Sequence, residues 1–235
     1  MNLPSKIVYF FKRKIQPGFR INREDLVVDI GSGDKPFWRA DVFFDNTALS
    51  DNQRITGTKA VTNLGLFVNG TLPSTPFRDK TFDFSFCAHL LEHVEDPDMA
   101  IRELMRISRR GYIETPNGVL ELMDPFRSHL WFIFLNGNKL VFVRKSKKMH
   151  ETLKVNGGQF NKVIRKINDP FIRMYWEGKI DYEIIDDLDR SEKFYPAEDE
   201  FYEKQKYNFY LIFIKILRKF FYKNKETLVF SSIEK

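Results

Sequence analysis

The stretch Val27-Val28-Asp29-Ile30-Gly31-Ser32-Gly33 constrains the fold of this chain more than any other. A β-branched run takes up one acid and then breaks into two glycines one residue apart. That is the pattern of a buried parallel strand running into a ligand-binding turn. Glycine admits the backbone conformations such a turn needs, and it lets amides approach a ligand where a Cβ would clash. Many α/β proteins carry such a turn, so its meaning depends on the residues downstream of it.

Those residues alternate between strand and helix patterns. Leu26–Ile30 reads as a first strand, and Val42–Phe44, closed by Asp45, as a second. Phe67-Val68 reads as a third and Phe82–Ala88 as a fourth, with the proline-containing loop Leu72–Lys80 before it. Residues 48–63 are polar and irregular. A helix opens with Asp96 as N-cap and Pro97 at its first position, and Ile101, Leu104, Met105 and Ser108 share one face. Glu95, Asp96 and Asp98 suit the positive end of its dipole, and Arg106, Arg109 and Arg110 the negative end. Gly111 is the expected terminator, and Tyr112–Glu114 a fifth strand stopped by Thr115-Pro116-Asn117-Gly118. Strands alternating with helix predict a mainly parallel sheet covered on both faces.

The flanks differ. Residues 3–15 read as a short basic amphipathic helix ended by Pro17-Gly18. Beyond residue 118 two hairpins are expected. One joins Leu130–Leu135 to Lys139–Val143 through Asn136-Gly137-Asn138; the other joins Phe171–Trp176 to Lys179–Ile185 through Glu177-Gly178. An acidic segment, Asp186–Glu203, then leads to an aromatic-aliphatic helix over Tyr207–Tyr222. With 235 residues, the simplest organisation is one α/β domain: an N-terminal helix over 1–20, a core over 21–120 and a C-terminal elaboration over 121–235.

In open α/β sheets ligands bind at the carboxyl ends of the strands. Here those ends are Asp29–Gly33, Asp45, Asn69–Leu72, Cys87–His93 and Glu114–Asn117, and all five are expected along one edge. A dinucleotide fingerprint needs a third glycine, a helix, and an acid roughly 20 residues on. Asp34-Lys35-Pro36 stands where the third glycine belongs, and Asp45 comes only 12 residues after Gly33. That spacing leaves room for about one helical turn before the second strand, so a docked pyrophosphate is poorly supported.

Residues 26–117 resemble class I S-adenosylmethionine (SAM)-dependent methyltransferases, the type 11 family in particular. The resemblance rests on Val27–Gly33, Ala40–Asp45, Asn69-Gly70-Thr71-Leu72-Pro73, Phe77–Asp83, His89-Leu90-Leu91-Glu92-His93-Val94-Glu95-Asp96-Pro97 and Arg109–Pro116, in this order. The expected fold is then an α/β, Rossmann-like class I methyltransferase sheet with a C-terminal β-hairpin and helix elaboration. The expected cofactor is S-adenosyl-L-methionine. The resemblance implies Asp29, Gly31 and Gly33 at the methionine end, Asp45 on the ribose, Asn69 to Leu72 near adenine, and Ala88 and His89 beside the cofactor.

The residue types agree with that placement. Backbone amides of Gly31, Ser32 and Gly33 suit a carboxylate, Asp29 an ammonium, and Asp45 two ribose hydroxyls. Asn69, Gly70, Thr71 and Leu72 offer an apolar slot and a polar group for the adenine amine. Asn69 stands where the family places an aspartate.

Methyl transfer needs alignment above all, but a hydroxyl acceptor also benefits from a base. His89, at the transfer site, and His129, after the fifth strand, are the candidates. The other reading of His129, and the favoured one, is an exposed hairpin histidine. Glu92-His93 reads as catalytic or as orienting its loop, and Glu114 as binding substrate or ending its strand. A small-molecule, lipid-linked or glycan acceptor, methylated on oxygen and bound by the C-terminal elaboration, is expected. The alternatives are a non-catalytic binding module of the same fold and a membrane-associated scaffold.

The net charge of +6 permits anionic partners without choosing among them, and the scattered basic residues predict no nucleic acid. Peripheral membrane contact would use residues 3–15 and 207–222, where Lys215, Arg218 and Lys219 share a face; packing on the domain is the other reading. Cys87, the single cysteine, rules out an intramolecular disulfide and reads as a core hydrophobe. Four histidines without an HExxH or CxxC spacing predict no metal site. Ile7–Phe11 is too short for a signal peptide, so a cytoplasmic location is expected.

Overall fold

The computed structural model describes residues 15–46, 59–123, 125–156, 169–195 and 208–221. The helix expected over 3–15 lies outside them except for Ile15, as does most of the polar segment 48–63. Ile15 leads into a short 3-10 turn, Gln16–Arg20.

The chain then lays down β1 (Val27–Ile30), β2 (Val42–Asp45), β3 (Leu66–Asn69), β4 (Phe82–Ala88), α1 (Pro97–Ile107) and β5 (Ser108–Pro116). A single helical turn, α2 (Gly118–Glu121), precedes β6 (Trp131–Asn136) and β7 (Lys139–Arg144). The described residues end with α3 (Lys147–Asn156), β8 (Phe171–Glu177), β9 (Asp181–Ile185) and α4 (Asn208–Phe221). The main sheet runs β3-β2-β1-β4-β5-β8. Its first five strands are parallel and β8 is antiparallel. A smaller sheet, β6-β7-β9, packs beside it.

Every residue of β1 is buried, as a strand covered on both faces requires. One face of the main sheet meets α1, through Ala100, Ile101, Leu104 and Ile107, and the small sheet, through Trp131, Ile133, Leu140 and Phe142. The other face carries Phe37, Trp38, Phe43, Phe84, Phe86 and Tyr112 under Ile214 of α4. Phe86 stacks between Phe37, at 4.1 Å, and Tyr112, at 5.2 Å between ring centres. Phe37, Phe43, Phe84 and Phe86 are therefore all used in packing this face.

The start of α1 is as the sequence predicts: the Asp96 carboxylate accepts the Met99 N–H and Pro97 opens the helix. Its end is not. The helix stops at Ile107 and β5 begins at once with Ser108, so Gly111 lies inside a strand and Arg109 and Arg110 belong to it. Gly111 is paired with Ser85 on one side and Trp176 on the other. A Cβ there would lie 2.5 Å from the Ser85 carbonyl oxygen and 2.7 Å from Trp176 Nε1. The glycine is needed for close approach, not for a turn. Gly111→Ala should cost about 1–3 kcal/mol through overpacking, lowering the melting midpoint by several degrees in calorimetry. An unchanged midpoint would mean that β4, β5 and β8 can spread without cost.

The first expected hairpin forms as β6 and β7, turning through Gly137 at φ +60° and Asn138. The second does not form. β8 joins β5 in the main sheet while β9 runs parallel to β7 in the small one. The inward residues of β8, Ile172, Met174 and Trp176, complete the open edge of β5. The turn at Gly178, with φ +70°, then sends buried Ile180 toward the small sheet. Two strands that look like hairpin arms thus stitch the two sheets together.

The expected C-terminal helix is present as α4 and packs on the domain. Tyr210 Oη donates to the Pro36 carbonyl at 2.6 Å, and Arg218 donates to the carbonyls of Trp38 and Ala40 at 3.2 and 2.5 Å. Arg218 is buried and does not share the outward face of Lys215 and Lys219, in contrast to the helical-face reading of the sequence. Among the described residues no helix is long and apolar enough to cross a membrane.

Candidate active site

The order of strands reverses between β1 and β4, which opens a crevice at their carboxyl ends. Strand registers align those ends. Ile30 pairs with Phe44 and Cys87, Asp45 with Asn69, and Ala88 with Glu114. The five strand ends singled out in the sequence therefore do lie along one edge.

The glycine turn leaves β1 with Gly31 at φ +76° and Gly33 at φ +53°. The amides of Gly31 and Ser32 donate to the Phe44 carbonyl at 2.8 and 3.2 Å. The Gly33 amide donates to the Asp45 carboxylate at 2.5 Å, tying the turn to the end of β2. No helix occurs among residues 31–41. Buried Phe37 and Trp38 anchor this loop instead, and the Phe37 amide donates to the Asp29 carboxylate at 2.6 Å. Asp29 is buried, so it shapes the turn from beneath. The segment around Val61 crosses back over the turn, with the Val61 amide on the Gly33 carbonyl at 2.9 Å.

At the end of β3, the Gly70 amide donates to the Asp45 carbonyl at 3.1 Å. A Cβ on Gly70 would lie 2.7 Å from the Phe44 ring. Asn46 Nδ2 donates to Thr71 Oγ1 at 2.7 Å, Leu72 packs into the core and Asn69 is exposed.

At the end of β4, Ala88 is half-buried and His89 adopts φ +57°, a left-handed conformation uncommon outside glycine. That conformation turns the imidazole between two buried carboxylates. Its Nε2 lies 3.0 Å from Glu114 Oε1 and its Nδ1 lies 3.4 Å from Glu92 Oε1. The ring also meets Phe171 edge-on at 4.9 Å. Glu114 ends no strand: it lies within β5, where Tyr112 Oη and Arg173 Nε each donate to its Oε2 at 2.9 Å. Burial and the Glu114 charge push the Tyr112 hydroxyl well above the ordinary phenol range.

His129 is not an exposed hairpin histidine. It is buried, with Nδ1 2.8 Å from Glu121 Oε1 and Nε2 4.0 Å from Glu92 Oε1. Lys145, also buried, pairs with the same Glu121 oxygen and donates to the Phe126 carbonyl at 3.0 Å. Burial pulls the Lys145 ammonium down from its ordinary range, against the pull of Glu121. Glu92 is buried between His89, His93 and His129. Desolvation raises its carboxyl, but the approach of His89 and the charges of His93, His89 and His129 outweigh that and hold it at about 2. Sequence reasoning missed Arg173, Glu121 and Lys145, because no local spacing marks a residue that matters through a distant partner.

Residues 29–113 match the model of the type 11 family, described as a methyltransferase domain. This part of the chain is similar to a methyltransferase domain. The cofactor of such a domain is S-adenosyl-L-methionine. A Thermotoga maritima protein described as a SAM-dependent methyltransferase, possible histamine N-methyltransferase, is 16% identical over 49% of this chain and 59% of its own, with a TM-score of 0.35. The YcgJ protein of Bacillus subtilis is 22% identical over 55% of this chain and 61% of its own, also with a TM-score of 0.35. The chain thus spans about three-fifths of the length of these two solved structures. No curated protein matches it.

The residues of this matched stretch fit that cofactor. The left-handed glycine turn leaves room for a close ligand, and Leu90 would crowd any Cβ on Gly31, at 3.1 Å. Beside it the Ser32 hydroxyl is buried and makes no hydrogen bond to a described residue. A ligand carboxylate at this turn would answer it.

Proposed function

We propose that this chain is a SAM-dependent methyltransferase acting on an oxygen of a small-molecule, lipid-linked or glycan acceptor. The observation that carries the reading is His89, strained into the crevice beside the glycine turn and held between Glu114 and Glu92. When bound, SAM supplies a methyl group on a cationic sulfur. Gly31, Ser32 and Gly33 would hold its carboxylate, with Asp29 beneath them. Asp45 would hold the ribose diol, Asn69 to Leu72 the adenine, and Ala88 and His89 would line the transfer site.

A hydroxyl must lose its proton as it is methylated. Glu114 orients His89 through Nε2 at 3.0 Å, as a base is held by its orienting partner. The looser Nδ1 is the nitrogen on which an acceptor hydroxyl competes with Glu92. His129, buried on Glu121, is shielded from an acceptor. Removing a positioned base typically costs about 10²–10⁴-fold in rate. His89→Ala should therefore lower turnover by about a hundredfold or more at saturating SAM, while SAM affinity changes little. Unchanged turnover on the acceptor identified by a methyl-transfer screen would sink the base assignment.

On α4, Ile212 and Ile216 are exposed beside Lys215 and Lys219. That face supports a lipid-linked acceptor met at an anionic membrane surface. Flotation with anionic liposomes tests it, and recovery wholly in the unbound fraction counts against it.

A further inference from the structure

We propose that Glu92, His93 and His129 form a binding site for one divalent transition-metal ion of the zinc class. Nothing in this site depends on SAM or on methyl transfer. One ligand atom from each of the three residues lies within 4.8 Å of the others. Metal–ligand bonds of about 2.0–2.2 Å place tetrahedral ligand atoms roughly 3.3 Å apart, so closing on an ion asks for modest side-chain movement only.

The two imidazoles are held as metal-binding histidines are held. His93 Nδ1 lies 2.9 Å from the Ser128 carbonyl, which can only accept, so Nδ1 carries the proton and Nε2 the lone pair. His129 Nδ1 lies 2.8 Å from the Glu121 carboxylate, which fixes the same tautomer. A carbonyl or carboxylate behind each ligating ring is the outer arrangement that orients such ligands and raises their basicity.

Glu92 supplies the independent sign of a ligand. The residue is fully buried, yet neither carboxylate oxygen accepts a hydrogen bond from a described residue. An ionised carboxylate left so in a protein interior is costly. His89 Nδ1 and His129 Nε2 only approach one of its oxygens, at 3.4 and 4.0 Å. A cation between Glu92 and the two imidazoles would satisfy it. The scaffold is already joined around the site: the Leu130 amide donates to the Glu92 carbonyl, and Trp131 Nε1 to the Val94 carbonyl, both at 2.8 Å. His93 is half-buried. Two imidazoles and one carboxylate suit zinc and its neighbours and disfavour magnesium, which prefers oxygen. No spacing along the chain marks such a site, because its halves come from the loops after β4 and before β6.

The test uses the full chain stripped with a chelator. Zinc chloride titrated against a chromophoric competitor should show one equivalent bound, with a Kd below micromolar and no competition from magnesium. Glu92→Gln and His129→Asn should each weaken binding at least a hundredfold. Cobalt(II) added to the wild-type chain gives a second reading that needs no variant: one equivalent should produce the visible bands of a low-coordinate nitrogen and oxygen site. Absence of stoichiometric zinc or cobalt binding by the wild type overturns the proposal. So does unchanged zinc affinity in Glu92→Gln with a native circular dichroism spectrum.

Discussion

Asp45→Ala is expected to weaken SAM binding at least a hundredfold in calorimetry. The carboxylate sits at the end of β2, level with Asn69 of β3, and already accepts the Gly33 amide at 2.5 Å. In the proposed cofactor site the substitution would remove the acceptor for a ribose diol, and it releases the pin that holds the glycine turn. Hydrogen bonds to a charged group are worth about 1.5–3 kcal/mol each, and a hundredfold loss corresponds to about 2.7 kcal/mol. Losing one such bond to the ribose and the order of the turn together accounts for it. Asp45→Asn keeps a carbonyl acceptor without the charge and should fall between, near tenfold. Binding of Asp45→Ala within threefold of the wild type would remove Asp45 from the cofactor site and, with it, the placement of the ribose.

That prediction can be framed from the sequence because its parts are local or topological. An apolar run that breaks at Gly31 and Gly33, and an acid that ends the next apolar run, fix their own places once the sheet is parallel. The N-cap at Asp96 is legible for the same reason, since cap and first turn are neighbours in the chain. Strand partners are not. Phe171–Glu177 and Asp181–Ile185 carry strand composition and a glycine turn between them, yet which edges they join depends on open edges left by β5 and β7. Gly111 misleads in the same way, because a glycine after a helical pattern looks like a terminator until the strand beside it is known. At the site, His89 is legible through its motif. Its setting is not, because Glu114 is held by Arg173 from 59 residues further along the chain. His129 looks exposed in the sequence because its burial depends on partners distant along the chain or contributed by another element, Glu121 of α2 at 2.8 Å and the His93 ring at 4.7 Å.

The largest loss of stability from a single side chain is expected at Lys145. Its ammonium is fully buried at the end of β7, paired with Glu121 of α2, bonded to the Phe126 carbonyl at 3.0 Å and set 4.7 Å from the Phe132 ring centre. Lys145→Met keeps the stem and deletes the charge. Glu121 is then left buried with His129 alone. Breaking one partner out of a buried pair costs about 3–5 kcal/mol, which for a chain of this size is a fall of roughly 10 °C in melting midpoint. The cost comes from the carboxylate left behind, not from lost attraction as such. Adding Glu121→Gln to Lys145→Met should therefore restore much of the stability instead of deepening the loss. A midpoint unchanged in Lys145→Met would mean the ammonium reaches water. Losses that simply add in the double variant would mean the two groups are not coupled. Recovery would show that the loss in Lys145→Met is the cost of the buried Glu121 carboxylate left without its ammonium.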